Sequence, residues 1–284
     1  MIKLTDVKKK FGSTAAIDGI SLEIPESGIY CLLGRNGAGK TTLMKLLAGH
    51  IAASGGTIYI EGDSVSPGHM PECVSFIESG CVQFNMKVSD LLDSAAELQD
   101  GFDRDFAKSM TERFQLNPKK KFKQLSFGMK TMLTTIITLA NNSKVVLLDE
   151  PTLGFDAIMR DQFNTLLLES YYAHPRVMIV STHLIDEIAK VTERLIIINN
   201  GKILLETGID DIDERAYTLS GPSKAVLPLL DELNCIGMTT AGSVIAAHIY
   251  DERISPPDGV VIDRISLQDF FVNMVRSETD YQNP

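Results

Sequence analysis

Apolar and polar residues alternate over residues 2–8 and again over 19–24. A period of two predicts two strands around a turn. Residues 29–33 are instead a continuous apolar run, short enough for a strand buried on both faces. That run ends in Gly34-Arg35-Asn36-Gly37-Ala38-Gly39, and helical character follows over residues 41–48, stopped by Gly49. Residues 57–60, ending at Glu61-Gly62-Asp63, predict a strand and a turn. From about 88 to 140 the apolar positions take helical spacing, as in Leu91, Leu92, Ala95 and Leu98. Residues 145–148 and 177–181 read as buried parallel strands, with helices beside them over 161–171 and 184–191. Strand and helix in alternation predict an α/β sheet with helices on its faces. The stretch 88–140 has helices only, which predicts an inserted helical subdomain.

Beyond residue 208 the pattern predicts a smaller α/β appendage, residues 209–284. Its strands fall near 217–219, 244–248 and 259–262, and its helices near 223–233 and 267–275, the second capped by Ser266. Charge marks the same boundary. Residues 1–205 hold 22 Lys and Arg against 23 Asp and Glu, whereas residues 206–284 hold 5 against 14. Most of the net charge of −10 therefore lies in the tail, which would repel a phosphate backbone. No nucleic-acid partner is expected.

No apolar run approaches the roughly 20 residues needed to span a bilayer, and residues 1–6 turn polar at once, with no signal-peptide core. The sequence thus predicts a soluble chain, for which any membrane role needs a partner. Cys31, Cys73, Cys81 and Cys235 include no CxxC pair, so reduced thiols are expected rather than a zinc site. Lys119, Lys120, Lys121 and Lys123 read as a solvated face.

Two motifs carry chemistry. Residues 34–41, Gly-Arg-Asn-Gly-Ala-Gly-Lys-Thr, fit GxxxxGK[ST] without deviation, with a strand before and a helix after. Glycines let the backbone wrap close to phosphates with successive N–H groups turned inward, and the helix adds its positive N-terminal end. Lys40 can reach β- and γ-phosphates, and the Thr41 hydroxyl can ligate Mg²⁺. Gly34, Asn36, Gly37, Ala38, Gly39, Lys40, Thr41 and Thr42 form the candidate ATP-binding set. The second motif is the apolar strand that ends in Asp149-Glu150. Parallel sheets bind ligands at the C-terminal ends of their strands, so both carboxylates should face the same nucleotide. Asp149 suits Mg²⁺, and Glu150 suits the base that polarises an attacking water.

Together with Leu125-Ser126-Phe127-Gly128-Met129, these motifs resemble the ATP-binding cassette family over residues 1 to about 208. The five residues look like a variant of that family's LSGGQ signature. Asp149-Glu150-Pro151-Thr152 resembles its Walker B motif, Leu153-Gly154-Phe155-Asp156 its D-loop, and Ser181-Thr182-His183 its switch histidine. Phe11 stands where an aromatic ring stacks on adenine. The resemblance implies a P-loop NTPase (RecA-like) core with a helical subdomain at about 85–140. It implies that Ser126 and Gly128 close over the γ-phosphate held by the opposite subunit, with Asp156 at the dimer seam. It also implies that His183 contacts the γ-phosphate beside the catalytic Glu150.

One departure concerns the family's glutamine, which follows a strand and joins the Mg²⁺ site to the helical subdomain. Counting forward from residues 74–77 puts Ser79 there; counting back from Lys87-Val88 puts Glu78 there. Gln83 lies further along, and Glu78 can supply the missing oxygen ligand. Residues 266–271 resemble the ending of ATPase subunits of bacterial drug and antibiotic exporters. The resemblance implies the ATP-hydrolysing subunit of an exporter at the cytoplasmic face of the membrane. Its partners would be a transmembrane permease on a separate chain, through a groove near residues 78–86, and a second ATP-binding subunit, a homodimer being favoured. The other reading is a soluble, regulatory ATPase.

Overall fold

A computed structural model describes residues 1–80 and 83–281, with the side chains of 186, 187 and 277–281 left out of account. Cys81, and with it part of the stretch 78–86, lies outside the described residues. The chain divides into two units, Met1–Thr192 with Ile196–Leu205 and Glu193–Leu195 with Glu206–Pro284.

In the first unit, β1 (Ile2–Phe11) and β2 (Thr14–Ile24) form an antiparallel hairpin closed at Phe11 and Thr14. It is longer than its alternating pattern. Residues 8–16 are exposed or half-buried, so the pattern fades there while the backbone ladder continues. β3 (Gly28–Leu33) is buried at every residue and leads into α1 (Lys40–Leu47). β4 (Gly55–Ile60) and β5 (Asp63–Ser64) complete a first sheet of order β2-β1-β4-β5. β6 (Val74–Glu78) is followed by helices alone, α2 (Val88–Leu98), α3 (Arg104–Arg113) and α4 (Phe127–Ala140), with one 3-10 turn at Phe122–Gln124. Then come β7 (Val145–Asp149), α5 (Ala157–Ala173), β8 (Val177–Ser181), α6 (Ile185–Ile188), β9 (Arg194–Asn199) and β10 (Lys202–Gly208).

The second sheet has the order β10-β9-β3-β8-β7-β6, with β3, β8, β7 and β6 parallel. Register lines up Leu32 with Ser181, Ser181 with Asp149, and Asp149 with Glu78. This row is one edge of the sheet, and the glycine loop, Glu150 and Ser79 all leave the sheet from it. Between the sheets Tyr30, Leu32, Leu43, Met44, Leu147, Ile179 and Ile198 form one buried cluster with side chains of the hairpin. Each fully buried aliphatic side chain there contributes about 1.5–3 kcal/mol. The α/β layers with an all-helical insertion are the architecture expected.

α4 is buried along most of its length although its sequence is rich in threonine. Thr131, Thr134 and Thr138 donate their hydroxyls to the carbonyls of Phe127, Lys130 and Thr134, one turn back, which meets the hydrogen-bonding need of buried hydroxyls. Arg176, only 4% exposed, donates to the Leu139 carbonyl at the C-terminal end of α4 (3.0 Å) and to Ser170 Oγ of α5 (2.6 Å). Burial pulls its pKa down to about 10, and the negative helix end opposes that pull. The helix predicted over 184–191 is shorter than expected: after Ile188 the chain tightens into an i−3 bond from Val191 N–H to the Ile188 carbonyl.

In the second unit, α7 (Ile209–Arg215) precedes a sheet of order β12-β13-β11-β14, built from β11 (Ala216–Pro222), β12 (Cys235–Ala241), β13 (Val244–Tyr250) and β14 (Val261–Arg264). α8 (Ser223–Val226) follows β11, and α9 (Leu267–Tyr281) ends the described chain. Tyr217, Leu219, Val226, Ile245, Ala247 and Ile249 form its own core. β12 escapes the sequence pattern because Gly237 interrupts it and residues 238–241 are exposed. No helix among the described residues is long and apolar enough to cross a membrane.

Candidate functional site

The glycine loop is fixed by its backbone. Gly39 has φ +112°, a conformation L side chains rarely adopt, and a β-carbon there would stand 2.7 Å from the Ala16 carbonyl. Only glycine fits, and it directs the chain into α1. Lys40 begins that helix and is 6% exposed, with Nζ donating to the Gly34 carbonyl at 2.8 Å. Ala16, Arg35, Asn36, Gly37, Gly39, Lys40, Thr41, Thr42 and Glu150 line one cleft of about 240 Å³. Residues of the glycine loop and the acid at the end of β7, two strands from β3 in the sheet, thus share a cleft. Arg35, within the loop, and Ala16, from β2, lie outside the candidate set, and nothing in the residue type of Ala16 marks it. Phe11, at the far end of β1, is 53% exposed, with Lys9 Nζ 4.9 Å from the ring centroid.

Asp149 is 4% exposed and fully engaged: Thr41 Oγ1 donates to its Oδ2 at 2.6 Å, and Ser181 Oγ donates to its Oδ1. Hydroxyl and carboxylate oxygens are the donors Mg²⁺ takes, and this ion binds through one or two protein oxygens plus substrate phosphates and water. Among the described residues no three His, Cys, Asp or Glu side chains cluster as a metal cage. Glu150 follows with φ +50°. Its Oε2 lies 2.8 Å from Nδ1 of His183 and its Oε1 3.9 Å from Lys40 Nζ. An ionised carboxylate only accepts, so the imidazole N–H donates. Behind the loop, burial, and after it the charge of Glu150, pushes the Cys31 thiol far above its ordinary range; that thiol is inert.

Glu78 is held by Lys45 of α1, with Nζ 2.8 Å from Oε2, so the ligand role expected of Glu78 requires that this pair open. Ser79 Oγ donates to the Glu150 carbonyl at 2.7 Å, and Gln83 lines a small cavity with Glu78, Phe127 and Lys130. Neither the Lys45 pair nor the Ser79 bond can be read from sequence distance, because both depend on β6 lying beside β7.

Ser126 is exposed and caps α4, its Oγ accepting from Met129 N–H at 3.2 Å, whereas Gly128 is buried in the first turn. Asp156 caps α5 in the same way, accepting from Met159 N–H at 2.8 Å. Phe127, which stands where the family signature has glycine, packs its ring on Gly154. A β-carbon on Gly154 (φ +81°) would stand 2.5 Å from that ring, so the signature and D-loop segments interlock within one chain.

Residues 17–153 match the family described as ABC transporter. The lantibiotic transport ATP-binding protein SrtF of Streptococcus pyogenes is 30% identical over 212 residues, covering 74% of this chain and 92% of that protein. The bacitracin transport ATP-binding protein BcrA of Bacillus licheniformis is 26% identical over 301 residues, 98% of each chain. The dimeric structure of MJ0796, a bacterial ABC transporter cassette, superposes with a TM-score of 0.65 at 22% identity, covering 74% of this chain and 99% of that one. The chain belongs to the ABC transporter family, as one of its ATP-binding, ATP-hydrolysing subunits.

Proposed function

We propose that this ATPase powers an exporter of antibiotic or peptide-like compounds, working as a homodimer on the cytoplasmic face of the membrane against a permease on a separate chain. The match to a bacitracin transport subunit along 98% of both chains supports the exporter class, since it includes the appendage as well as the cassette. Residues 1–208 are the catalytic domain in this reading, and residues 209–284 support the dimer or the permease contact. The groove near residues 78–86 receives that permease.

The placement of Glu150 Oε2 at 2.8 Å from His183 carries the catalytic reading. Residues 34 and 36–42 hold the triphosphate, and Phe11 stacks on adenine. Ser126, Gly128 and Asp156 serve the site of the opposite subunit. Glu150 takes a proton from water, whose oxygen bonds to the γ-phosphorus as the bond to the β–γ bridging oxygen breaks. His183 holds the Glu150 carboxylate and the γ-phosphate. Thr41 and Asp149 would hold Mg²⁺, with Glu78 joining them once Lys45 releases it. The ion's contribution is to neutralise charge on the phosphate oxygens.

Two measurements on Lys40→Ala test this reading. ATP binding and turnover should fall together, because a buried cation beside the phosphates is lost. Affinity capture from detergent-solubilised membranes should still recover a multi-spanning membrane protein. Unchanged ATPase activity would remove the phosphate-site assignment, and the absence of any membrane partner would remove the exporter assignment.

A further inference from the structure

Glu150 stands in the left-handed region at φ +50° with a side chain to accommodate, a conformation that costs free energy and persists only where neighbours over-determine it. Pro151 follows and narrows the backbone range of Glu150 further. The neighbours come from the two flanking strands. On one side, Ser181 at the end of β8 accepts the Glu150 N–H through its carbonyl (3.2 Å) and its Oγ (3.0 Å). On the other side, just after β6, Ser79 donates its hydroxyl to the Glu150 carbonyl at 2.7 Å. Ser79 is itself anchored. Its N–H donates to the Asp149 carbonyl at 3.2 Å, and Glu78 before it is paired with Lys45 of the helix that carries Lys40.

We propose that Ser79 is a positioning residue for ATP hydrolysis: its hydroxyl fixes the Glu150 peptide so that the carboxylate stays between Lys40 and His183. The inference rests on Glu150 being the base. The Glu150 carbonyl also accepts the Leu153 N–H, at 3.1 Å, but that bond comes from the same turn. Ser181 fixes the N–H side of Glu150 from β8, and Ser79 fixes its carbonyl side from the end of β6. Without the Ser79 bond the strained backbone relaxes and the carboxylate spends less time on the attacking water. ATP binding, which uses the loop and helix of residues 34–42, is untouched.

Steady-state ATPase kinetics of the full chain test this, with Ser79→Ala, Ser79→Thr, Ser79→Cys and Glu150→Gln compared with wild type. Ser79→Ala should lower kcat about 3- to 10-fold, the factor one hydrogen bond is worth, with KM for ATP within about twofold. Ser79→Thr, which keeps the hydroxyl, should recover most of kcat. Ser79→Cys keeps the volume with a weaker donor and should fall between, so the loss can be read even if the alanine variant folds poorly. In a Glu150→Gln background Ser79→Ala should cost nothing more. Wild-type kcat in Ser79→Ala beside an inactive Glu150→Gln would overturn the proposal, as would a loss that threonine does not recover and that appears equally in KM. Turnover of Glu150→Gln at the wild-type rate would instead remove the base assignment, and this inference with it.

Discussion

Nδ1 of His183 lies 2.8 Å from Oε2 of Glu150, although 33 residues separate them, because β7 and β8 end side by side at one edge of the sheet. The contact exists within a single chain, so the carboxylate proposed as the base is oriented without a second subunit. His183→Ala should lower kcat about 10- to 100-fold, the range for a hydrogen bond to a charged group, while ATP affinity changes little. Kinetics and nucleotide-binding titration on one preparation would separate the two effects. An equal loss in both would place His183 in binding rather than in orienting the base.

Gly154 is the point where the D-loop meets the signature. A β-carbon there would both occupy φ +81° and stand 2.5 Å from the Phe127 ring. Gly154→Ala should destabilise the fold by about 1–3 kcal/mol. Phe127→Ala in the same chain should return part of that loss by opening space for the methyl group. Thermal unfolding of the two single variants and the double variant would show it, and strictly additive losses would mean that the two segments are not coupled by this contact.

A site composed from two subunits, as proposed, predicts complementation. Ser126→Arg blocks the exposed helix cap that would face the opposite subunit's nucleotide, and Lys40→Ala empties the cradle of its cation. Each homodimer should be inactive. Mixed dimers keep one site with intact parts and should regain part of the wild-type ATPase rate. Mixed dimers shown to form by differential tagging, yet inactive, would contradict a site built from two chains and able to work alone.

How much of this was legible in the sequence follows from where each signal resides. The glycine loop was legible because its features are contiguous: residues 34–41 carry both the backbone freedom and the cation. Asp149 and Glu150 were legible because an apolar strand that ends in two acids shows where it ends. The left-handed backbone of Glu150 was not, since nothing in Glu-Pro announces it, and it is stabilised by serines 71 and 31 residues away. The position of the family's glutamine stayed divided between Glu78 and Ser79 for the same reason. The pairing of β6 with β7 gives the two residues separate contacts, Glu78 with Lys45 and Ser79 with the Glu150 carbonyl. In the second unit β12 was lost because its outward residues are exposed and carry no apolar alternation.

The most direct test of the account is the behaviour of Glu150→Gln on size-exclusion chromatography with and without ATP. The substitution keeps the shape and removes the charge, and a general base contributes about 10²–10⁴-fold to rate. Lys40, Thr41 and Asp149 remain, so ATP still binds, and one negative charge fewer beside the γ-phosphate favours the closed state. The account predicts a monomer without nucleotide, a stable dimer with ATP, and hydrolysis slowed by at least about 10²-fold. Hydrolysis at the wild-type rate, with no ATP-dependent dimer, would contradict it.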